Sequence, residues 1–216
     1  MESSHPMAAV EALLKAPGRI LFELGAGRTS IAAALVMTAF VCLSVYGVVV
    51  GSLSGGSQLW IAPLKILLGS AICVLICLPS LYIFLCLSGA EVSLKGVSGE
   101  LLAMVSLMAL LLIGFAPVAW VFSQSTDSIG LMAFLHIAFW SVGLWFGSAM
   151  LGRSAPASSR GSTRVWMIIY VVVCLQMMTS LRPIIGASDS FLPKEKKFFL
   201  THMAEVATAA QNQPRR

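Results

Sequence analysis

The chain has 216 residues, of which 58% are hydrophobic and only 11% are charged, with a net charge of +5. Ordinary soluble domains are roughly 25% charged, so this composition and a mean hydropathy of +0.90 exclude a cytosolic enzyme, a disordered chain and a coiled coil. It predicts a single membrane domain of the all-α class, a polytopic helical bundle. The small positive excess gives no reason to expect a nucleic-acid partner.

The first 30 residues form an amphipathic segment that is interrupted at Pro17 and Gly18. Apolar and charged side chains alternate there at helical spacing, which predicts two short interfacial helices lying on the membrane surface. The segment lacks the order of charged, apolar and small residues that marks a signal peptide. We therefore expect that no leader is removed and that the first span inserts the chain.

Five uncharged apolar runs follow within residues 31–185, at positions 31–50, 66–87, 101–122, 129–151 and 165–181. About 20 helical residues cross a hydrocarbon core of about 30 Å, so each run is predicted to be a transmembrane helix. The last run is the shortest and extends to Ile185 if Arg182 snorkels. Closed barrels are excluded because their strands would alternate in segments of about ten residues.

The distribution of basic residues in the connecting loops predicts the orientation. Four of them lie on the N-terminal side, namely Lys95, Arg153, Arg160 and Arg164, against Lys65 on the other side. The positive-inside rule therefore predicts a cytoplasmic N-terminus and an extracytoplasmic C-terminus. Residues 186–216 form a basic tail with a short predicted helix. Its charges favour a cytoplasmic C-terminus, which a re-entrant fifth segment or a sixth crossing would allow.

Two prolines and two glycines interrupt the apolar runs. Pro79 and Pro117 remove a helical hydrogen bond, so we expect kinks that are either packing bends or hinges exposing a carbonyl. Gly143 and Gly147 have the spacing that allows two membrane helices to approach closely. Whether this close approach occurs within one chain or between copies stays open at this stage.

His136 is the only ionisable side chain deep in a predicted span, with Trp140, Gly143 and Gly147 on its helix face. It is either a proton carrier or ligand contact, or a neutral imidazole bonded to a Ser, a Thr, Gln176 or a carbonyl freed by a proline. Gln176 in the fifth run is expected to hydrogen-bond between helices.

The fifth run ends at Arg182, Pro183 and Gly186, where arginine can reach headgroups, proline ends the helical ladder and glycine permits a turn. Alternatively, Arg182 binds a lipid phosphate or a carboxylate of a partner. Trp60, Trp120 and Trp166 lie near span ends and are typical of an aromatic belt.

No known arrangement of catalytic residues appears in the sequence. We find no nucleophile with a base, no phosphate-binding glycine loop and no His/Cys cluster. The five cysteines lie in apolar runs and read as small hydrophobic residues. The sequence therefore predicts no catalytic residue, no metal and no cofactor, and hence no enzyme.

The segments from Cys77 to Phe84 (CLPSLYIF) and from Gln176 to Gly186 (QMMTSLRPIIG), with Phe191, resemble uncharacterised bacterial multi-pass membrane proteins. These are loosely similar to the Yip domain family. The resemblance implies five spans in a bacterial inner membrane with the N-terminus inside. It implies no activity, and Ile184 stands where the similar sequences usually carry Phe.

The leading functional hypothesis is a non-enzymatic scaffold that organises a membrane assembly through its termini and glycine faces. Its partners would be the lipid bilayer and other membrane proteins, or a second copy of itself in a homo-oligomer. The alternative is a small transporter or channel subunit with a polar path past Pro79, Pro117, His136 and Gln176.

Overall fold

The computed structural model describes residues 6–180 except 54, 127, 155 and 156, and the regular secondary structure of this part of the chain is helical throughout. The prediction of an all-α fold is confirmed there. One short 3-10 helix, Ala157–Ser159, joins the last two of seven α-helices. The α-helices are α1 (Pro6–Lys15), α2 (Pro17–Gly25), α3 (Thr29–Ser52), α4 (Gln58–Leu87), α5 (Leu94–Ser125), α6 (Ile129–Ser154) and α7 (Arg160–Ser180).

Among the described residues, four helices are long and apolar enough to cross a membrane: α3, α4, α5 and residues Gly130–Gly152 of α6. They indicate a membrane location. The fifth predicted run lies in the 21-residue helix α7, which is not among these four. Helices α4 and α5 begin seven or eight residues before the predicted runs, so polar residues at their starts lie inside helices and not in loops.

The long helices form an arc in the order α6, α5, α3, α4 and α7. Helix α3 packs extensively against both α4 and α5, α6 packs on the outer side of α5, and α7 packs on α4. Ser106 of α5 joins this helix to α3, because its hydroxyl donates to the carbonyl of Leu35 (3.2 Å) as well as to that of Leu102 in its own helix. The core is therefore built around α3 and α5.

Glycines allow α3 and α4 to pack closely as an antiparallel pair. Gly55 and Gly56 in the turn both adopt positive φ, at 64° and 54°, which reverses the chain over few residues. A Cβ atom placed on Gly47 would overlap the backbone of Pro63, and one on Gly51 would overlap the carbonyl of Gln58. These two glycines are thus used within the chain.

Gly143 and Gly147 have the same role between α6 and α5. A Cβ atom on Gly143 would lie 2.9 Å from Cγ of Met108, and one on Gly147 would lie 2.9 Å from Cγ of Met104. Both methionines are buried. The predicted close approach therefore occurs within one chain, where methionine side chains fill the grooves left by the glycines.

The N-terminal segment forms two short helices, with the break at Ala16 immediately before Pro17. They pack against the end of the bundle, where Ala9, Leu13, Ile20 and Leu24 are buried beside α3 and α5. Glu23 is also buried and accepts a hydrogen bond from Arg19 (3.0 Å), with Arg28 at 3.9 Å. This ion-paired carboxylate joins α2 to the start of α3.

The outer surface of the bundle is apolar. Leu75 is 71% exposed and Leu87 is 82% exposed on α4, while Trp145 is 73% exposed on α6. Patches of this kind are rare on monomeric soluble proteins, whereas in a bilayer the same side chains contact lipid. The exposed fractions agree with the membrane location that the helix lengths indicate.

We predict that Gly47→Ala destabilises the bundle, by about 1 to 3 kcal/mol, because the added methyl group collides with the backbone of Pro63. Gly114→Ala in α5 is the matched control, since its added methyl meets open space and alanine favours a helix by about 1 kcal/mol. The melting temperature of the purified protein in detergent measures both. Equal melting temperatures for the two variants would contradict the close packing of α3 on α4.

Candidate functional site

A buried contact between Tyr46 of α3 and His136 of α6 is the most specific polar interaction inside the bundle. The Tyr46 hydroxyl lies 2.7 Å from Nδ1 of His136, and the two rings meet edge to face at 89° with centroids 5.6 Å apart. Tyr46 is fully buried and His136 is 3% exposed. Tyr46 lies six residues before the end of α3, and His136 lies seven residues after the start of α6. Both are therefore about 10 Å inside the end of the bundle that is farther from α1.

The second ring nitrogen of His136, Nε2, is buried and has no hydrogen-bond partner among the described residues. If Nδ1 accepts the hydrogen bond from the tyrosine hydroxyl, the N–H group is at Nε2 and lacks an acceptor. If Nδ1 donates instead, Nε2 has a free lone pair and lacks a donor. The indole of Trp140 lies close to the tyrosine hydroxyl. One imidazole nitrogen is therefore available to an additional polar group in either tautomer.

A second polar layer lies nearer the same end of the bundle. Ser52 and Ser123 join α3 to α5 through their hydroxyls, 3.0 Å apart, and Gln124 donates to Ser123. Gln58, the first residue of α4, is 2% exposed, and neither atom of its side-chain amide has a partner among the described residues. Buried amides of this kind require a donor or acceptor, such as water.

Lys65 is completely buried seven residues into α4. Lys65 was predicted to lie in a loop, as the one basic residue opposing the four on the N-terminal side, and this prediction is wrong because Lys65 lies inside α4. Its neighbours Pro63, Leu64 and Ile66 are helical as well. The signal that could have found it is that it is the only charged residue between Arg28 and Glu91.

The structure does not bring the predicted path residues together. Pro79 and Pro117 lie inside α4 and α5, as expected, but both are exposed on the outside of the bundle. Gln176 is half-buried near the end of α7. The partner of His136 is Tyr46, a residue outside the predicted set of Ser, Thr, Gln176 and freed carbonyls.

Trp166 does not lie in an aromatic belt, contrary to the prediction. Trp60 and Trp120 are 82% and 53% exposed near helix ends, whereas Trp166 is fully buried between α7 and α4. Its indole nitrogen donates to Oγ of Ser80 (3.0 Å) and to the carbonyl of Cys77 (3.2 Å). Burial of an indole N–H requires such a partner, so Trp166 joins two helices instead of marking the membrane surface.

Three predicted residues, Arg182, Pro183 and Gly186, lie outside the described residues, as does the predicted C-terminal helix within 186–216. In the part of the chain that the structure describes, no group of three His, Cys, Asp or Glu side chains could hold a metal ion. The five cysteines are free thiols.

Comparison with known proteins returned no match of this chain to a family model, to a curated protein or to a solved structure. The resemblance to the Yip domain family therefore stays a prediction.

We predict that Tyr46→Phe lowers stability by about 1 to 3 kcal/mol, because it removes the hydrogen bond to Nδ1 of the buried His136 imidazole. Combining it with His136→Phe should cost less than the sum of the two single changes, since the second change removes the stranded imidazole. Melting temperatures in detergent test this, with Tyr82→Phe on α4 as a control outside the pair. Additive effects would show that the two side chains are not coupled.

Proposed function

We propose that this chain is a non-enzymatic, five-span protein of a bacterial cytoplasmic membrane, with its N-terminus inside, that organises a larger membrane assembly. The single observation that supports the proposal is that α1 and α2 are held firmly against the bundle while apolar side chains on their outer face stay exposed. The Yip-like resemblance agrees with a scaffold of this topology.

The buried side of α1 and α2 explains why the two helices are held in place. Leu24 contacts Gly99 of α5 so closely that a Cβ atom on Gly99 would lie 2.8 Å from it. The Glu23 ion pairs with Arg19 and Arg28 add a polar attachment next to this contact. Two short helices that would be marginal alone are thus stabilised by tertiary packing.

The other side of the two helices carries Met7, Leu14 and Phe22, which are 75%, 56% and 77% exposed. Next to Leu14, Lys15 donates to Glu11 (2.8 Å), which lowers the pKa of the Glu11 carboxyl and keeps this exposed pair charged. Large apolar side chains rimmed by charges are typical of a protein or membrane contact surface. A rigid platform with such a surface suits an organising role.

The glycine faces are less suited to partners than the sequence suggested. Gly47 and Gly51 pack against α4, and Gly143 and Gly147 pack against α5, so these surfaces are already occupied. We therefore assign the contact with partners to the terminal segments alone.

The fifth span in this proposal is α7, and its packing on α4 supports the assignment. Trp166 near its start bonds to Ser80 and Cys77, while Cys174 further along contacts Cys73. The two helices therefore run antiparallel, side by side. Its uncharged residues 165–180 measure about 24 Å, and in this proposal the span continues to Ile185, as the sequence predicts, to match a hydrocarbon core of about 30 Å.

We predict that a green fluorescent protein fused before residue 1 is fluorescent in bacteria, and that alkaline phosphatase fused after residue 216 is active. Fluorescence requires a cytoplasmic location and phosphatase activity requires an extracytoplasmic one, so an odd number of spans satisfies both. Exchanging the two reporters is the control and should abolish both signals. Phosphatase inactivity at the C-terminus would contradict the fifth span.

We predict that a photoreactive amino acid in place of Phe22 crosslinks to one discrete protein in intact membranes. The same amino acid in place of Val36, which is 51% exposed on α3, is the control and should label lipid only. Mass spectrometry of the adducts measures the outcome. Lipid adducts alone at both positions would contradict a partner surface on α2.

A second candidate function, a small conduit or transporter, is favoured by one observation: the buried Nε2 of His136, beside Tyr46, has no hydrogen-bond partner within the described part of the chain. Intramembrane ionisable residues commonly mark transport paths. In liposomes containing only this protein, the scaffold proposal expects no solute or ion flux above that of empty liposomes. Flux that is abolished by His136→Leu would overturn the scaffold and support the conduit.

A further inference from the structure

A groove of about 560 Å³ lies between α6 and α7 at the end of the bundle nearer α1 and α2. Trp145 and Gly152 of α6 form one wall, and Ile168 and Val172 of α7 form the other. The groove opens toward the outer surface, since Trp145 is 73% and Ile168 is 66% exposed. A molecule dissolved in the bilayer can therefore enter it from the side.

The arrangement of the helices explains why a groove forms there. Helix α6 packs mainly on α5 and α7 packs mainly on α4, so these two helices stand at the two ends of the arc and contact each other little. Polar groups in the groove are satisfied locally, because Thr163 donates to the carbonyl of Ser159 and Ser148 to that of Trp145. The walls themselves thus present an apolar surface.

Two arginines mark one end of the groove. Arg160 and Arg164 both line it, both are exposed, and they lie one helical turn apart at the start of α7. Neither forms an ion pair within the described ranges. Two guanidinium groups at one end of an apolar groove are complementary to an anionic group attached to a hydrocarbon chain.

The length of the groove matches one leaflet of a bilayer. Arg160 and Val172 are twelve helical residues apart, which corresponds to about 18 Å. One leaflet contributes about half of a 30 Å hydrocarbon core, so arginines at headgroup depth leave the apolar walls at acyl-chain depth.

We propose that this groove binds one acidic phospholipid from the leaflet on the N-terminal side of the membrane. Arg160 and Arg164 bind its phosphate, and one acyl chain lies along Ile168 and Val172. The lipid is acidic because a zwitterionic headgroup would bring a third positive charge next to the two guanidinium groups. The site depends on the membrane location of the chain and does not depend on whether the protein is a scaffold or a conduit.

Native mass spectrometry of the full chain in detergent tests the proposal, with phosphatidylglycerol and phosphatidylcholine of identical acyl chains as probes. We expect one phosphatidylglycerol per chain, bound about tenfold or more tightly than phosphatidylcholine, since charge-assisted hydrogen bonds distinguish the two. The double variant Arg160→Gln/Arg164→Gln should bind phosphatidylglycerol no better than phosphatidylcholine. The variant Lys95→Gln removes a positive charge from an exposed side chain outside the groove and should bind phosphatidylglycerol as the wild type does.

A second variant tests whether the lipid occupies the groove. Gly152→Leu should weaken binding of both lipids, because a Cβ atom on Gly152, which lines the groove, meets no protein atom within 4 Å, and the longer side chain takes up space that the lipid would fill. Gly114→Leu, also facing open space but on α5, is its control and should leave binding unchanged. Because Gly152→Leu leaves both arginines in place, it decides the outcome even if the arginine variant fails to fold.

Three results would overturn the proposal. The first is unchanged phosphatidylglycerol binding by the folded arginine variant, and the second is unchanged lipid binding by Gly152→Leu. The third is displacement of the lipid by millimolar glycerol 3-phosphate, which has the phosphate but no acyl chain and would show a site for a soluble anion.

Discussion

The hydrocarbon core offers no water to polar atoms, so each buried donor or acceptor requires a partner from the chain itself. Most serine and threonine hydroxyls in the long helices meet this requirement by donating to a carbonyl of their own helix, and a few polar side chains join two helices instead. Tyr46 binds His136 between α3 and α6, Ser106 binds the carbonyl of Leu35 between α5 and α3, and Trp166 binds Ser80 between α7 and α4. These bonds lie on different sides of the bundle and fix which helix faces which, while dispersion between closely packed small residues holds the helices together.

The two ends of the bundle differ in chemistry. At the end nearer the N-terminus, α1 and α2 close the core and Arg160 and Arg164 stand at the edge of the α6–α7 groove. At the other end, buried polar groups gather around His136 and Gln58. Contacts with partners and lipids are proposed for the first end, and the conduit alternative depends on the second. Experiments on Phe22, His136 and the arginines therefore address separate parts of the molecule.

Several features of the fold could be predicted from local sequence, and others could not. Uncharged runs long enough to cross a bilayer located the four apolar helices, and Pro17 located the break between α1 and α2. His136 was singled out because it is ionisable in an apolar run. Tyr46 was missed because tyrosine is unremarkable in a membrane helix, and its contact joins residues 90 positions apart. Lys65 was misplaced because a charge was taken as the boundary of a span, although α4 begins seven residues earlier.

The sequence by itself determined the helical class, the membrane location and the positions where helices can approach closely, because hydropathy, length and glycine spacing are local properties of the chain. Only the tertiary structure decided what each exceptional residue contacts. Gly147 could have faced a second copy, yet it faces Met104; Trp166 could have faced headgroups, yet it is buried against Ser80. The physical reason is that a helix presents several faces of similar hydropathy, and the choice among them depends on how distant helices pack.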